Sequence, residues 1–248
     1  MFRRIFLTAL VAGLLSGVGI SVVQEFTTTP VILHAEKFED AKRNNNNRHH
    51  SQKGHSGLGD NAHSHDEPHH ANAGASADMA WAPNNGIERK VTTTLANILT
   101  GIGFALILTA CFAIDGSPIH GRTGILWGIA GFGIVNLAPA LGLPPEVPGL
   151  IGAELGGRQA WWFCCVAGTA AGLWLMVFRA GTAWAIGGIV LIALPHVVGG
   201  PRPHGSGGAV PPELAAHFVA ASLFTAAVFW CMLGWLSGTF WIKLTQKG

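Results

Sequence analysis

Tyrosine is absent from this chain, and charge is scarce. Asp, Glu, Lys and Arg make up only 11% of its 248 residues, less than half of the roughly 25% usual in soluble domains. That shortage excludes an ordinary soluble globule. The formal net charge is +2. The cations are scattered, so nothing offers nucleic acid a basic patch. Cysteine is limited to Cys111, Cys164, Cys165 and Cys231, each inside an apolar run. Adjacent Cys164 and Cys165 point to different faces of any helix, which argues against a disulfide or zinc framework. The four read as small apolar residues. The chain has no His-Glu-x-x-His pair and no Gly-x-x-x-x-Gly-Lys-Ser/Thr loop. A membrane zinc protease and a built-in ATPase therefore lack support. No enzyme activity and no catalytic cofactor is implied.

What is abundant points to lipid. The chain is 49% hydrophobic, with 34 glycines and 9 tryptophans. High Gly with low charge suits helices that pack closely in a bilayer. Met1 to Val23 is an apolar run behind Arg3 and Arg4. It could be a secretory signal, but no small-x-small cleavage site follows, which favours an uncleaved first helix over 1–24. Five more runs follow, Thr92–Ile114, Gly124–Leu143, Gln159–Phe178, Thr182–Gly199 and Leu214–Ile242. Each is near the ~20 residues that span a bilayer. Trp161, Trp162, Trp184, Trp235 and Trp241 lie near run ends, as an interfacial aromatic belt requires. The fold class expected is an all-α integral membrane protein of about six helices, with a five-helix bundle over 92–248.

Residues 25–91 form the long polar stretch. Thr29–Glu36 reads as a short ordered segment. Residues 41–80 carry Asn44 to Asn47 in a row and then His49, His50, His55, His63, His65, His69 and His70 among Gly, Ser, Asn and Asp. Few large apolar residues occur there, so no core can form and disorder is expected. The histidines read as a loose trap for divalent metal; a soluble tether that happens to be His-rich is the plainer alternative.

Lys and Arg in the short loops set the expected orientation. With the N-terminus cytoplasmic, inner segments hold Arg3, Arg4, Arg122, Arg179, Lys243 and Lys247, and short outer loops only Arg158 and Arg202. That asymmetry favours both termini inside, with the His-rich loop outside. The outer ends then collect Gln24, Asn97, Asn136, Glu146, Glu154, His196, His204, Glu213 and His217. Ionisable groups cost about 2.5–3.5 kcal/mol at the bilayer centre and less toward its edge. Glu213 and His217 are four apart and share a helix face. With His196 and Glu146 they are the expected outer metal site, and His204 and Glu154 its rim. Such oxygen and nitrogen donors suit cobalt, nickel or zinc more than magnesium or copper(I). Each residue also has a plain structural role open to it. His196 could bond a carbonyl freed by Pro195, Glu213 could favour a helix N-terminus, and Glu146 could face water from its Pro-rich turn.

Several stretches carry a family resemblance. They are Met1–Phe6, Thr29-Pro30…Leu33-x-Ala35-Glu36, Gly86-x-Glu88-Arg89 and Ala96-Asn97-x-Leu99-x-Gly101-x-Gly103-Phe104-Ala105. Leu143-Pro144-Pro145-Glu146-x-Pro148-Gly149, Leu194-Pro195-His196 and Val210-Pro211-x-Glu213-Leu214-Ala215 complete them. In this order, and over nearly the whole chain, they resemble the CbtA family of bacterial membrane proteins, probable cobalt transporter subunits usually linked to cobalamin-regulated genes. The chain departs from the family pattern at His34, where that segment often carries Glu. The resemblance implies uptake of a divalent metal, cobalt first, with a small single-span partner subunit. The rival reading is an accessory membrane protein that captures or senses metal without moving it across.

Overall fold

The structure, a computed structural model, describes residues 1–53, 86–203 and 210–245. An apolar run in lipid must satisfy its own backbone N–H and C=O groups, and a helix does so. The described residues are accordingly helical, with no strand among them. In chain order they form α1 Phe2–Phe26, α2 Thr28–Lys53, α3 Ile87–Asp115 and α4 Gly121–Phe132. A π-helical turn, Gly133–Leu137, carries α4 into α5, Ala138–Ala140. Then come α6 Leu155–Phe178, α7 Thr182–Val198 and α8 Pro212–Thr245.

Five helices among the described residues are long and apolar enough to cross a membrane: α1, α3, the composite Gly121–Ala140, α6 and α8. The sixth expected run, α7, is apolar but has 17 residues. At 1.5 Å per residue it is about 25 Å long, against a hydrocarbon core of about 30 Å. Pro195 does not break it. The helix runs on to Val198 and stops where Gly199, at φ 85°, turns back an N–H to the Pro195 carbonyl at 3.0 Å.

One expectation needs correcting. Helix α2 reaches Lys53, so 41–53, the first part of the stretch expected to be disordered, is helical. The rest of that stretch, 54–80, lies outside the described residues. At its start α2 is anchored by Ala35, which is fully buried against Val147 and Val210.

Close glycine contacts organise the bundle into antiparallel pairs. A Cβ on Gly13 or Gly17 of α1 would strike the α3 backbone at Ile102 or Ile98. Gly124 and Gly128 of α4 meet Gly234 and the Trp230 carbonyl of α8 in the same way. Gly172 and Gly188 close α6 on α7, each within 2.6 Å of the other's carbonyl if a Cβ were added. Backbones that touch in this way gain dispersion contact where lipid gives no hydrophobic drive. The α1–α3 and α4–α8 pairs share a core of Ala9, Ile20, Ala105, Phe229, Trp230 and Leu233. Near the N- and C-terminal ends of α1 and α8, the Arg4 guanidinium lies 3.7 Å from the Trp241 ring centre and donates to the Trp241 carbonyl at 3.0 Å. The α6–α7 pair joins the rest through the π-turn and α5.

Candidate functional site

Polar groups in a membrane bundle draw together because each one left alone is costly. Here they draw together in two places. The first is a cavity of about 370 Å³ among α1, α2, α3, the π-turn and α8. Gln24, Thr28, Asn97, Thr100, Asn136, Ser222 and Thr225 give it oxygens and amides, and Phe104, Phe229 and Trp230 give it apolar wall. Asn97 donates to the Gln24 amide oxygen at 2.7 Å and to the Ser21 hydroxyl at 3.0 Å. The Thr27 and Thr225 hydroxyls share a hydrogen bond at 2.8 Å.

Asn136 owes its place to the π-turn. Pro139 has no N–H for the carbonyl four residues back, and just before it the Ala138 N–H bonds Gly133, five residues back. A widened turn of this kind often marks a functional position. It sets Asn136 so that its side-chain oxygen accepts from Trp230 Nε1 at 2.7 Å. Among the described residues the cavity wall holds no carboxylate, imidazole or thiol. Neutral hard oxygens of this kind suit water or a cation that keeps its hydration shell. They do not make a tight inner-sphere site for a borderline metal.

The second place is the seam of α6 and α7. His196, half-buried, stands with its ring edge-on to Trp161 at 5.7 Å between centres. Its Nε2 is 3.8 Å from the sulfur of Cys165, which is fully buried. Trp161 is held in turn, since its Nε1 donates to the Pro195 carbonyl at 3.0 Å.

Those of the expected outer-site residues that the structure describes, Glu146, Glu154, His196, Glu213 and His217, are not gathered into one cluster. Among the described residues no three of His, Cys, Asp and Glu come close enough to share an ion. Glu146 pairs with Arg158 at 3.0 Å. Glu154 caps α6 and accepts from the Gly156 and Gly157 N–H groups, each at 2.7 Å. Those two bonds, Gly157 first, hold its carboxyl below the ordinary carboxylate range. Glu213 and His217 are exposed on the first turns of α8. His204 and the loop residues His55, His63, His65, His69 and His70 lie outside the described residues. His49 and His50 fall within α2.

Sequence reasoning placed Gln24, Asn97 and Asn136 at one end of the bundle but did not foresee their shared cavity with Thr100, Ser222 and Thr225. It also read Cys165 as plain packing. The signal available was its spacing from Trp161 and Thr169, four residues either way on one helix face.

Apolar spans and glycine-seamed helix pairs together define a multi-pass helical membrane protein. Comparison with known families makes the assignment particular. The chain belongs to the family described as "Probable cobalt transporter subunit (CbtA)", whose model matches residues 2–242. That is a transporter-subunit family, not an enzyme family. No curated protein and no solved structure matches the chain.

Proposed function

We propose that this chain is the membrane subunit of an uptake system for a divalent transition metal, cobalt first, with nickel or zinc as alternatives. The observation that carries the reading is the family match over residues 2–242, on a chain with five apolar spans among its described residues. The metal is substrate; no catalytic cofactor is part of the reading. On this reading α7 is a sixth, short crossing. Both termini are cytoplasmic, the membrane is the bacterial inner membrane, and the His-rich insert of 41–80 lies outside, where it raises the local ion concentration. The neutral cavity carries a hydrated ion, and His196 supplies a nitrogen donor. Glu213 and His217 on one exposed helix face, with His204, offer an entry rim. Glu146 and Glu154 stabilise the outer loops through Arg158 and the α6 N-terminus. A small single-span partner completes the system.

The test is cobalt accumulation in cells stripped of their own cobalt uptake, with this chain expressed alone or with its partner. Expected is saturable accumulation that survives a chelator wash. Deleting 54–80 lowers it at scarce cobalt and leaves it unchanged at saturating cobalt. Accumulation that the chelator strips entirely would favour the accessory protein that only captures metal.

A further inference from the structure

The α6–α7 seam holds two metal-capable atoms whose pairing neither residue's neighbours in sequence would suggest. Cys165 Sγ and His196 Nε2 face one another at 3.8 Å. A tetrahedral ion held by sulfur at ~2.3 Å and nitrogen at ~2.0 Å sets the two donors about 3.5 Å apart. The pair is thus a few tenths of an ångström wider than a shared ion requires. A third donor lies beside it. The Thr169 hydroxyl, one turn on from Cys165, is buried next to the sulfur and has no oxygen or nitrogen partner of its own. The surroundings hold the pair still. Trp161 packs with Ala138 and Cys165, and its Nε1 bond to the Pro195 carbonyl ties α6 to α7 beside His196. His196 is half-buried and followed by exposed Val197 and Val198 near the end of α7. The imidazole therefore reaches from the rim toward a thiol that lies deeper.

We propose that Cys165 and His196 form a sulfur–nitrogen site for a borderline divalent ion, with the Thr169 hydroxyl and water completing its coordination. Thiolate and imidazole are the donors that select such ions over magnesium and calcium. Binding replaces the thiol proton with the metal, and that proton leaves to water. His196 binds as neutral imidazole. Two strong protein donors hold an ion weakly enough to release it, as a conduction path needs. The site rests on the transport reading for its purpose but not for its detection.

The experiment is a cobalt(II) titration of the full purified chain, followed in the near ultraviolet. Sulfur bound to cobalt(II) gives a charge-transfer band, and the His-rich insert, which has no cysteine, cannot. Expected is a saturable band on the parent chain, lost in Cys165→Ser. It is retained in Cys111→Ser, Cys164→Ser and Cys231→Ser. His196→Asn should raise the cobalt concentration for half-saturation at least tenfold. A companion measurement needs no variant: X-ray absorption at the cobalt edge of the loaded parent should show a sulfur neighbour at ~2.3 Å. No band and no sulfur neighbour at saturating cobalt would overturn the site, as would a band that persists in Cys165→Ser. The pair would then be a thiol–imidazole hydrogen bond that serves packing. A parent chain that shows no band yet takes up cobalt would sink this site alone; a parent chain that shows the band with no uptake would sink transport alone.

Discussion

Glu36 and Arg89 lie 53 residues apart and meet in a two-pronged ion pair, Nη2 to Oε1 at 2.7 Å and Nη1 to Oε2 at 3.1 Å. Beside it Lys90 reaches Glu25 at 2.9 Å. The first pair fastens α2 to the start of α3 and so closes the base of the long polar segment between them. Both side chains of the first pair are about three-tenths exposed, at 28% and 31%, so water screens the attraction. A double-mutant cycle of Glu36→Ala and Arg89→Ala, read by unfolding in detergent, should give a coupling of about 0.5–1 kcal/mol. Arg89 has a further interaction, so its single substitution should cost more than that of Glu36. A coupling near zero would mean that α2 is held by Ala35 and its apolar neighbours alone.

Asn136 and Trp230 make a second test. Trp230 is 4% exposed and its indole N–H is satisfied by the Asn136 side-chain oxygen. Asn136→Ala leaves that donor buried and alone, at a cost of about 1–3 kcal/mol. Adding Trp230→Phe removes the orphaned donor, so the double variant should lose less than the two single losses added together. Strict additivity in the unfolding midpoints would show that the bond does not matter to the π-turn.

Glu154 provides a pH signature. Its carboxyl is held below its ordinary value of 4.5 by the Gly157 and Gly156 N–H groups. A carboxylate with a lowered folded value stabilises fully above the unfolded value and loses that stability as pH falls through the folded one. The parent should therefore unfold at a higher temperature than Glu154→Ala at neutral pH. The gap should hold down to about pH 4.5 and close below it. A gap that stays constant on acidification would show that the contribution is not the charged cap.

The spans were legible because lipid writes them as unbroken apolar runs. Gln159–Phe178 and Thr182–Gly199 differ from α6 and α7 only by a few residues at their ends. Helix α2 was not legible past Glu36. Its later sequence is polar and rich in Asn and His, and what anchors its start is tertiary, at Ala35 and at Glu36 with Arg89. The expected metal cluster was a matter of chain topology, which places residues at one end without saying what they touch. Glu146 and Glu154 had nearer partners, a cation and two helix N–H groups. The Cys165–His196 contact depends on how α6 is rotated against α7. That is set by Gly172 and Gly188 meeting across the seam, and no one-helix pattern reports it.

Passage of metal across the membrane through this chain can be read as cobalt entry into proteoliposomes. These would enclose a cobalt-quenched dye and hold the full chain with and without its partner. Quenching of the enclosed dye should saturate with cobalt and be absent from protein-free vesicles. The half-saturating concentration should rise in His196→Ala by at least tenfold, equivalent to about 1.4 kcal/mol. Cobalt bound at the outer surface with no quenching inside, whether or not the partner is present, would contradict transport by this chain.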